Sequence, residues 1–237
     1  MTDHIVKSYE NELKRLRALM TEMGGMVENQ VEQAIQGVVQ RDTAAAARAI
    51  DADPAVDAME HEAEQFVIRM LALRQPMAQD LRQIVSSLKM TTDLERIGDY
   101  AANVAKRSVV LSQFSLSFPL SGLAQMARLV QENLKMVVDA IGDGDTDKAL
   151  LVWRSDAPID DLYNTIFREL ITYMMEDPRN ITPCTHLLFI AKNLERIGDH
   201  ATNIAETIYY AVAGEPLTGA RPKADSSSFT VVRPAGI

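Results

Sequence analysis

Leu94-Glu95-Arg96-Ile97-Gly98-Asp99 recurs, 100 positions on, as Leu194-Glu195-Arg196-Ile197-Gly198-Asp199. The agreement extends outward. L-K-M-T-T-D-L-E-R-I-G-D-Y-A-A-N-V-A from Leu88 stands against L-F-I-A-K-N-L-E-R-I-G-D-H-A-T-N-I-A from Leu188. Six consecutive identities followed by a matching alanine and asparagine exceed what shared helical composition produces, so the chain is an internal duplication.

Each hexapeptide lies in a long run with apolar residues at spacings of three and four, the signature of an amphipathic helix. The first run begins near Met77 and passes Leu81, Ile84, Leu88, Leu94, Ile97, Ala101 and Val104; the second spans about Thr182 to Val212. Upstream, Tyr9, Leu13, Leu16, Met20, Met23, Val27, Val31, Ala34 and Val38 describe one long helix, with a bend expected at Gly24-Gly25. Arg41-Asp42-Thr43 reads as a turn and cap before a short helix at Ala44–Ile50. Asp53-Pro54 reads as a fresh helix start, and Gln75-Pro76 as its end.

Ser112–Pro119, rich in serine and aperiodic, reads as a linker, after which the pattern returns. Leu123 to Ile141 form a stripe, Gly142–Thr146 match the earlier turn, and Ile159-Asp160 fall where Val56-Asp57 fell, at an offset of 103. The expected fold is therefore all-α, two tandem three-helix bundles over residues 1–113 and 118–214, with six principal helices. Residues 215–237, with three prolines and a Ser-Ser-Ser run, read as a flexible tail.

Composition agrees: 47% hydrophobic, 24% charged and only 5% aromatic, with the good helix formers plentiful. No stretch approaches the roughly 18–20 apolar residues of a spanning helix, and no secretory-type run opens the chain, so a soluble cytoplasmic protein without membrane insertion is expected. A net charge of −9 disfavours nucleic acid as a partner. Cys184, the only cysteine, excludes an intrachain disulfide and reads as a structural thiol. Trp153 and the methionines fall on helical stripes and read as core.

Residues four apart on a helix stack on one face. Glu95, Asp99 and Asn103 form such a row, and Glu195, Asp199 and Asn203 repeat it. Stacked carboxylates repel, and partial burial raises the cost unless a cation intervenes. Arginine is one candidate cation, since Arg96 lies three residues from both Asp93 and Asp99; a metal ion is the other. Carboxylate oxygens suit Mg²⁺, Mn²⁺, iron or Zn²⁺, and Asn103, Asn203 or Asp93 could complete or orient a shell. Gly98 and Gly198, costly inside helices by about 0.5–1 kcal/mol relative to alanine, imply close approach by a neighbour. Spacing alone leaves metal and salt bridge equally open.

The repeated Glu-x-x-x-Asp pair in two three-helix units resembles the PhoU family of phosphate-signalling regulators, as do Leu73–Arg82 and the Asp53-Pro54 start. The likeness covers nearly everything up to Gly214. It implies clusters of iron or zinc held by Glu95, Asp99, Glu195 and Asp199, and a homodimer. It further implies a cytosolic negative regulator linking a phosphate-specific ABC transporter to a membrane sensor histidine kinase, without enzymatic activity.

The copies differ at Asp93/Asn193, Tyr100/His200 and Lys106/Glu206, so their sites need not be equivalent. Asp57 and Asp160 are possible contributors from adjacent helices, although a place in an early turn favoured by the helix dipole is the preferred reading of each. His200 reads as a surface histidine. A metal-dependent enzyme is the alternative function; a di-iron oxygenase is not supported, because no histidine follows a glutamate by three residues. A glycine-rich phosphate loop is also missing from the sequence.

Overall fold

Both hexapeptides lie in the middle of long helices in a computed structural model, which describes residues 2–116 and 118–219. The helices are α1 (Thr2–Val39), α2 (Thr43–Arg74), α3 (Ala78–Leu111), α4 (Ser121–Asp143), α5 (Thr146–Arg154), α6 (Ala157–Glu176) and α7 (Ile181–Ala213). A 3-10 turn at Pro178–Asn180 precedes α7, and no strand occurs among the described residues. The all-α duplicated architecture expected from the repeat is what the chain adopts: α1, α2 and α3 form one three-helix unit, and α4, α5 with α6, and α7 form the other. Of the expected tail, residues 220–237 lie outside the described residues.

The duplicated turns work alike. Asp42 caps α2 by accepting from the Ala44 and Ala45 N–H groups at 2.9 and 3.0 Å, and Asp145 caps α5 by accepting from Asp147 and Lys148 at the same two distances. Arg41, in the left-handed region at φ 57, sends its guanidinium to the carbonyls of Leu111, Ser112 and Phe114. It thereby satisfies acceptors at the C-terminal end of α3. Gln75, at φ 47, terminates α2 where Gln75-Pro76 had suggested.

One expectation about helix continuity is corrected. Asp53-Pro54 does not start a helix: α2 runs unbroken from Thr43 to Arg74 with Pro54 inside it. Proline removes one backbone hydrogen bond. Here buried Ala45, Ala46 and Ala49 before it, and Val56 and Ala63 after it, hold both parts of the helix in the same core. The second repeat does break at the corresponding place, between α5 and α6. α1 is helical through Gly24-Gly25. Gly24 marks a close approach between repeats, because a Cβ there would stand 2.8 Å from Val138 Cγ1 on α4.

One hydrophobic core runs through both units, joining Met23, Val27 and Ile97 of the first with Leu134, Ile159 and Ile197 of the second. A smaller cluster, Leu16, Leu19, Phe66, Val67, Met70 and Ile84, closes the far end of the first unit. The methionines Met20, Met23, Met70, Met90 and Met126 are core, as expected, whereas Met77 and Met175 are exposed. Trp153 is only half-buried and donates from Nε1 to Glu206 Oε1 at 2.9 Å.

The two hexapeptide helices, α3 and α7, pack directly against each other. Asp93 meets His200, Tyr100 meets His200 and Arg196, and Arg107 meets Phe189. Numbers rise on one helix as they fall on the other, so the helices cross antiparallel and each carries its acidic pair out to its own α2 or α6.

Candidate functional site

Glu95 and Asp99 emerge from α3 on the side facing α2, where Asp53, Asp57 and Glu60 contribute further carboxylates. Burial holds the Glu95 carboxyl above the ordinary glutamate range, and nearby Asp99, Glu60 and Asp57 push the same way, opposed by Arg96. Burial raises the Asp57 carboxyl also, with Asp53 and Asp99 adding to it. Burial is the larger cause of both shifts, and the neighbouring carboxylates add to it. Arg96 supplies partial relief: its guanidinium lies 3.2 Å from Asp99 Oδ2 and 3.5 Å from Glu95 Oε2, with half of its side chain in solvent.

Beneath this cluster Gln30 of α1 is 1% exposed. Its Nε2 donates to the Ala49 carbonyl and to Asp53 Oδ1, each at 3.1 Å. Gly98 makes room for it, since a Cβ at residue 98 would stand 2.9 Å from Gln30 Oε1. The close approach expected of the duplicated glycine is therefore real, and the approaching group is a buried amide. At Gly198 the neighbour is Ile159 Cδ1, 3.1 Å from the would-be Cβ.

The second cluster uses the same backbone positions but is far more enclosed. Glu195 is 5% exposed and Asp156 and Asp160 are each 2% exposed. Lys192 places its Nζ 2.9 Å from Glu195 Oε1 and 4.8 Å from the centre of the Tyr163 ring. Thr202 donates to Asp156 Oδ1 at 3.3 Å.

Several sequence expectations are revised by these placements. Asp57 cannot owe its place to a helix N-terminus, because α2 begins at Thr43; Asp160 does fall in the first turn of α6. Asp53 and Asp156 are related by the same offset of 103, but Asp53 before Pro54 has the local pattern of a helix cap rather than of a cluster member. Asp93 and Asn203 meet one another across the α3–α7 seam, where Asn203 Nδ2 lies 3.5 Å from Asp93 Oδ1. His200 is half-buried and engaged rather than free at the surface: its Nδ1 is 2.7 Å from Asp93 Oδ1, and its ring lies 5.6 Å from that of Tyr100. A helical face read in isolation cannot disclose a partner on another helix. Asn103 is exposed on α3.

The donors are oxygen throughout, a chemistry suited to hard or borderline cations. Among the described residues, no group of three or more His, Cys, Asp or Glu side chains stands ready to hold a metal ion. Glu95 and Asp99 turn toward Arg96 and Glu195 toward Lys192, so a metal would have to compete with these internal cations.

The PhoU domain model matches residues 20–108 and again 123–208, one match for each three-helix unit. A protein of Caulobacter vibrioides described as a phosphate-specific transport system accessory protein PhoU homolog is 50% identical over 229 residues, covering 95% of this chain and 98% of that protein. A Rhizobium meliloti protein of the same description is 46% identical, with 95% of each chain covered. The crystal structure of PhoU from Pseudomonas aeruginosa superposes with a TM-score of 0.85 at 39% identity, covering 87% of this chain and all of that one. Matches to the family model in both halves, and to relatives over nearly the whole length, establish that the chain belongs to the PhoU family.

Proposed function

We propose that this chain is an accessory regulator of phosphate transport, a non-catalytic cytosolic protein that restrains phosphate uptake and represses the phosphate-starvation response when phosphate is ample. The observation that carries this reading is the near full-length identity to relatives described as accessory proteins of the phosphate-specific transport system. In this role it connects a phosphate-specific ABC transporter to a membrane sensor histidine kinase, acting as a homodimer. Among the described residues no helix is long and apolar enough to cross a membrane, so contact with both membrane complexes falls to its surface.

Metal belongs to the same reading. Glu95 and Asp99, with Asp53, Asp57 and Glu60 beside them, would hold a di- or trivalent cation in the first unit; iron, zinc, manganese and magnesium all accept such oxygens. Glu195, Asp199, Asp156 and Asp160 occupy the corresponding positions in the second unit, where Lys192 lies against Glu195. A bound cation would neutralise the crowded carboxylates and tie α2 to α3. Within the chain, Gln30 fixes Asp53, Arg96 holds Glu95 and Asp99 in reach, and the α3–α7 seam sets the spacing of the clusters.

Deleting the gene in its native host and measuring alkaline phosphatase in high phosphate tests the regulatory role. High activity that the reintroduced wild-type chain represses is the expected result. Activity that stays repressed in the deletion strain overturns the reading. The metallated protein is expected to release no phosphate from phosphate esters, and turnover there would transfer the clusters to an enzyme.

A further inference from the structure

Position by position, the two acidic clusters differ most in where their positive charge comes from. The residue three before Glu195 is Lys192; the residue three before Glu95 is Thr92. Lys192 reaches into the second cluster with 30% of its side chain exposed, its ammonium 2.9 Å from Glu195 Oε1 and seated over the Tyr163 ring at 4.8 Å. Thr92 is exposed and neutral, and its hydroxyl donates to Glu60 Oε1 at 3.2 Å. Tyr163 also stands, at the offset of 103, where the first cluster has Glu60, so the second cluster gains a cation and an aromatic face while losing a carboxylate.

Arginine does not restore the symmetry. Arg96 bridges Glu95 and Asp99 with 53% of its side chain exposed, a position from which an entering cation can displace it into water. Arg196 instead lies over Tyr100 of α3, 5.5 Å from the ring centre. Glu195, Asp156 and Asp160 are almost fully buried, and buried carboxylates require a compensating charge within the same low-dielectric volume. An ammonium already there repels an incoming metal ion.

We propose that Lys192 is the resident cation of the second acidic cluster, so that metal ions enter the first cluster and not the second. This rests on the metal reading given above for the first cluster, and the two are separable by experiment. The full chain, stripped with chelator, is titrated with Mn²⁺ as the probe, and occupancy is read by calorimetry and by the spin resonance of free Mn²⁺. In wild type, occupancy disappears in Glu95→Gln/Asp99→Asn and persists in Glu195→Gln/Asp199→Asn. Thr92→Lys weakens Mn²⁺ binding by about tenfold or more. Lys192→Thr adds a second set of sites, removed again by Glu195→Gln/Asp199→Asn.

Loss of wild-type occupancy in Glu195→Gln/Asp199→Asn, or no added occupancy in a folded Lys192→Thr, overturns the proposal. Lys192→Gln, closer in length, serves if the threonine variant does not fold. Melting in excess chelator examines the lysine without any metal: Lys192→Thr lowers the melting temperature, and adding Glu195→Gln recovers most of the loss. If that recovery occurs while wild type binds no Mn²⁺, the metal reading fails and the resident-cation role stands. If Lys192→Thr melts like wild type in chelator, the role of Lys192 fails whatever the metal content.

Discussion

The duplicated glycines offer an internal comparison in which sequence context is identical and only the neighbour differs. Gly98→Ala and Gly198→Ala both replace a mid-helix glycine, which by itself stabilises by about 0.5–1 kcal/mol. At residue 98 the new methyl meets Gln30 Oε1 at 2.9 Å and Val56 Cγ1 at 3.2 Å. Gln30 is 1% exposed and tethered through Nε2 to Ala49 and Asp53, so withdrawing it breaks buried hydrogen bonds. Overpacking costs about 1–3 kcal/mol and a stranded buried polar group about 1–3 kcal/mol. Allowing for partial relaxation and the helical gain, Gly98→Ala is destabilised by about 1–2 kcal/mol. At residue 198 the neighbour is the terminal methyl of Ile159 at 3.1 Å, which can rotate, so loss and gain nearly cancel and the variant stays within about 0.5 kcal/mol of wild type. For a chain of this length, 1 kcal/mol moves the melting temperature by about 2–4 °C, giving Gly98→Ala a loss of roughly 2–8 °C and Gly198→Ala almost none. Urea and thermal unfolding followed by circular dichroism measure both. Equal losses in the two variants, or a Gly98→Ala as stable as wild type, would refute the assignment of Gln30 as the group that demands the first glycine.

Other perturbations follow from the same geometry. Burial pushes the Cys184 thiol up to about 11, so iodoacetamide should label it negligibly at neutral pH in the folded chain and readily in urea, as mass spectrometry would record; fast native labelling contradicts its burial. Asp42→Ala and Asp145→Ala each remove a cap of matched geometry and should each cost about 1 kcal/mol in urea unfolding, with additive effects in the double variant because the turns are separate. The bidentate Arg74 guanidinium holds the Glu12 carboxyl below its ordinary value of 4.5. That pair's stabilisation is present above the unfolded value and fades as pH falls through the folded one, so Glu12→Gln should be less stable near neutrality and converge with wild type in acid. A constant gap across that range would count against the pairing.

The hexapeptide repeat made the duplication, the helical class and both Glu-x-x-x-Asp pairs readable in advance, because helical periodicity and identity are both local properties. What stayed hidden was relational. Pro54 resembled a helix start, since its local cost is visible and the core contacts that outweigh it are not. His200 and Asp93 belong to one contact only after α3 and α7 cross antiparallel. Asp53 and Asp156 were open to discovery, because the offset of 103 that paired Asp57 with Asp160 pairs them as well. The Thr92/Lys192 difference is likewise visible in the sequence, but its weight comes from the burial of Glu195, which periodicity assigns equally to Glu95.

The most direct measurement of the central claim is elemental analysis of the full chain purified without chelator, beside the folded Glu95→Gln/Asp99→Asn variant. The account predicts iron, zinc or manganese bound to wild type and lost from the variant. Wild-type protein free of metal, or a variant that keeps its full metal content, would contradict it.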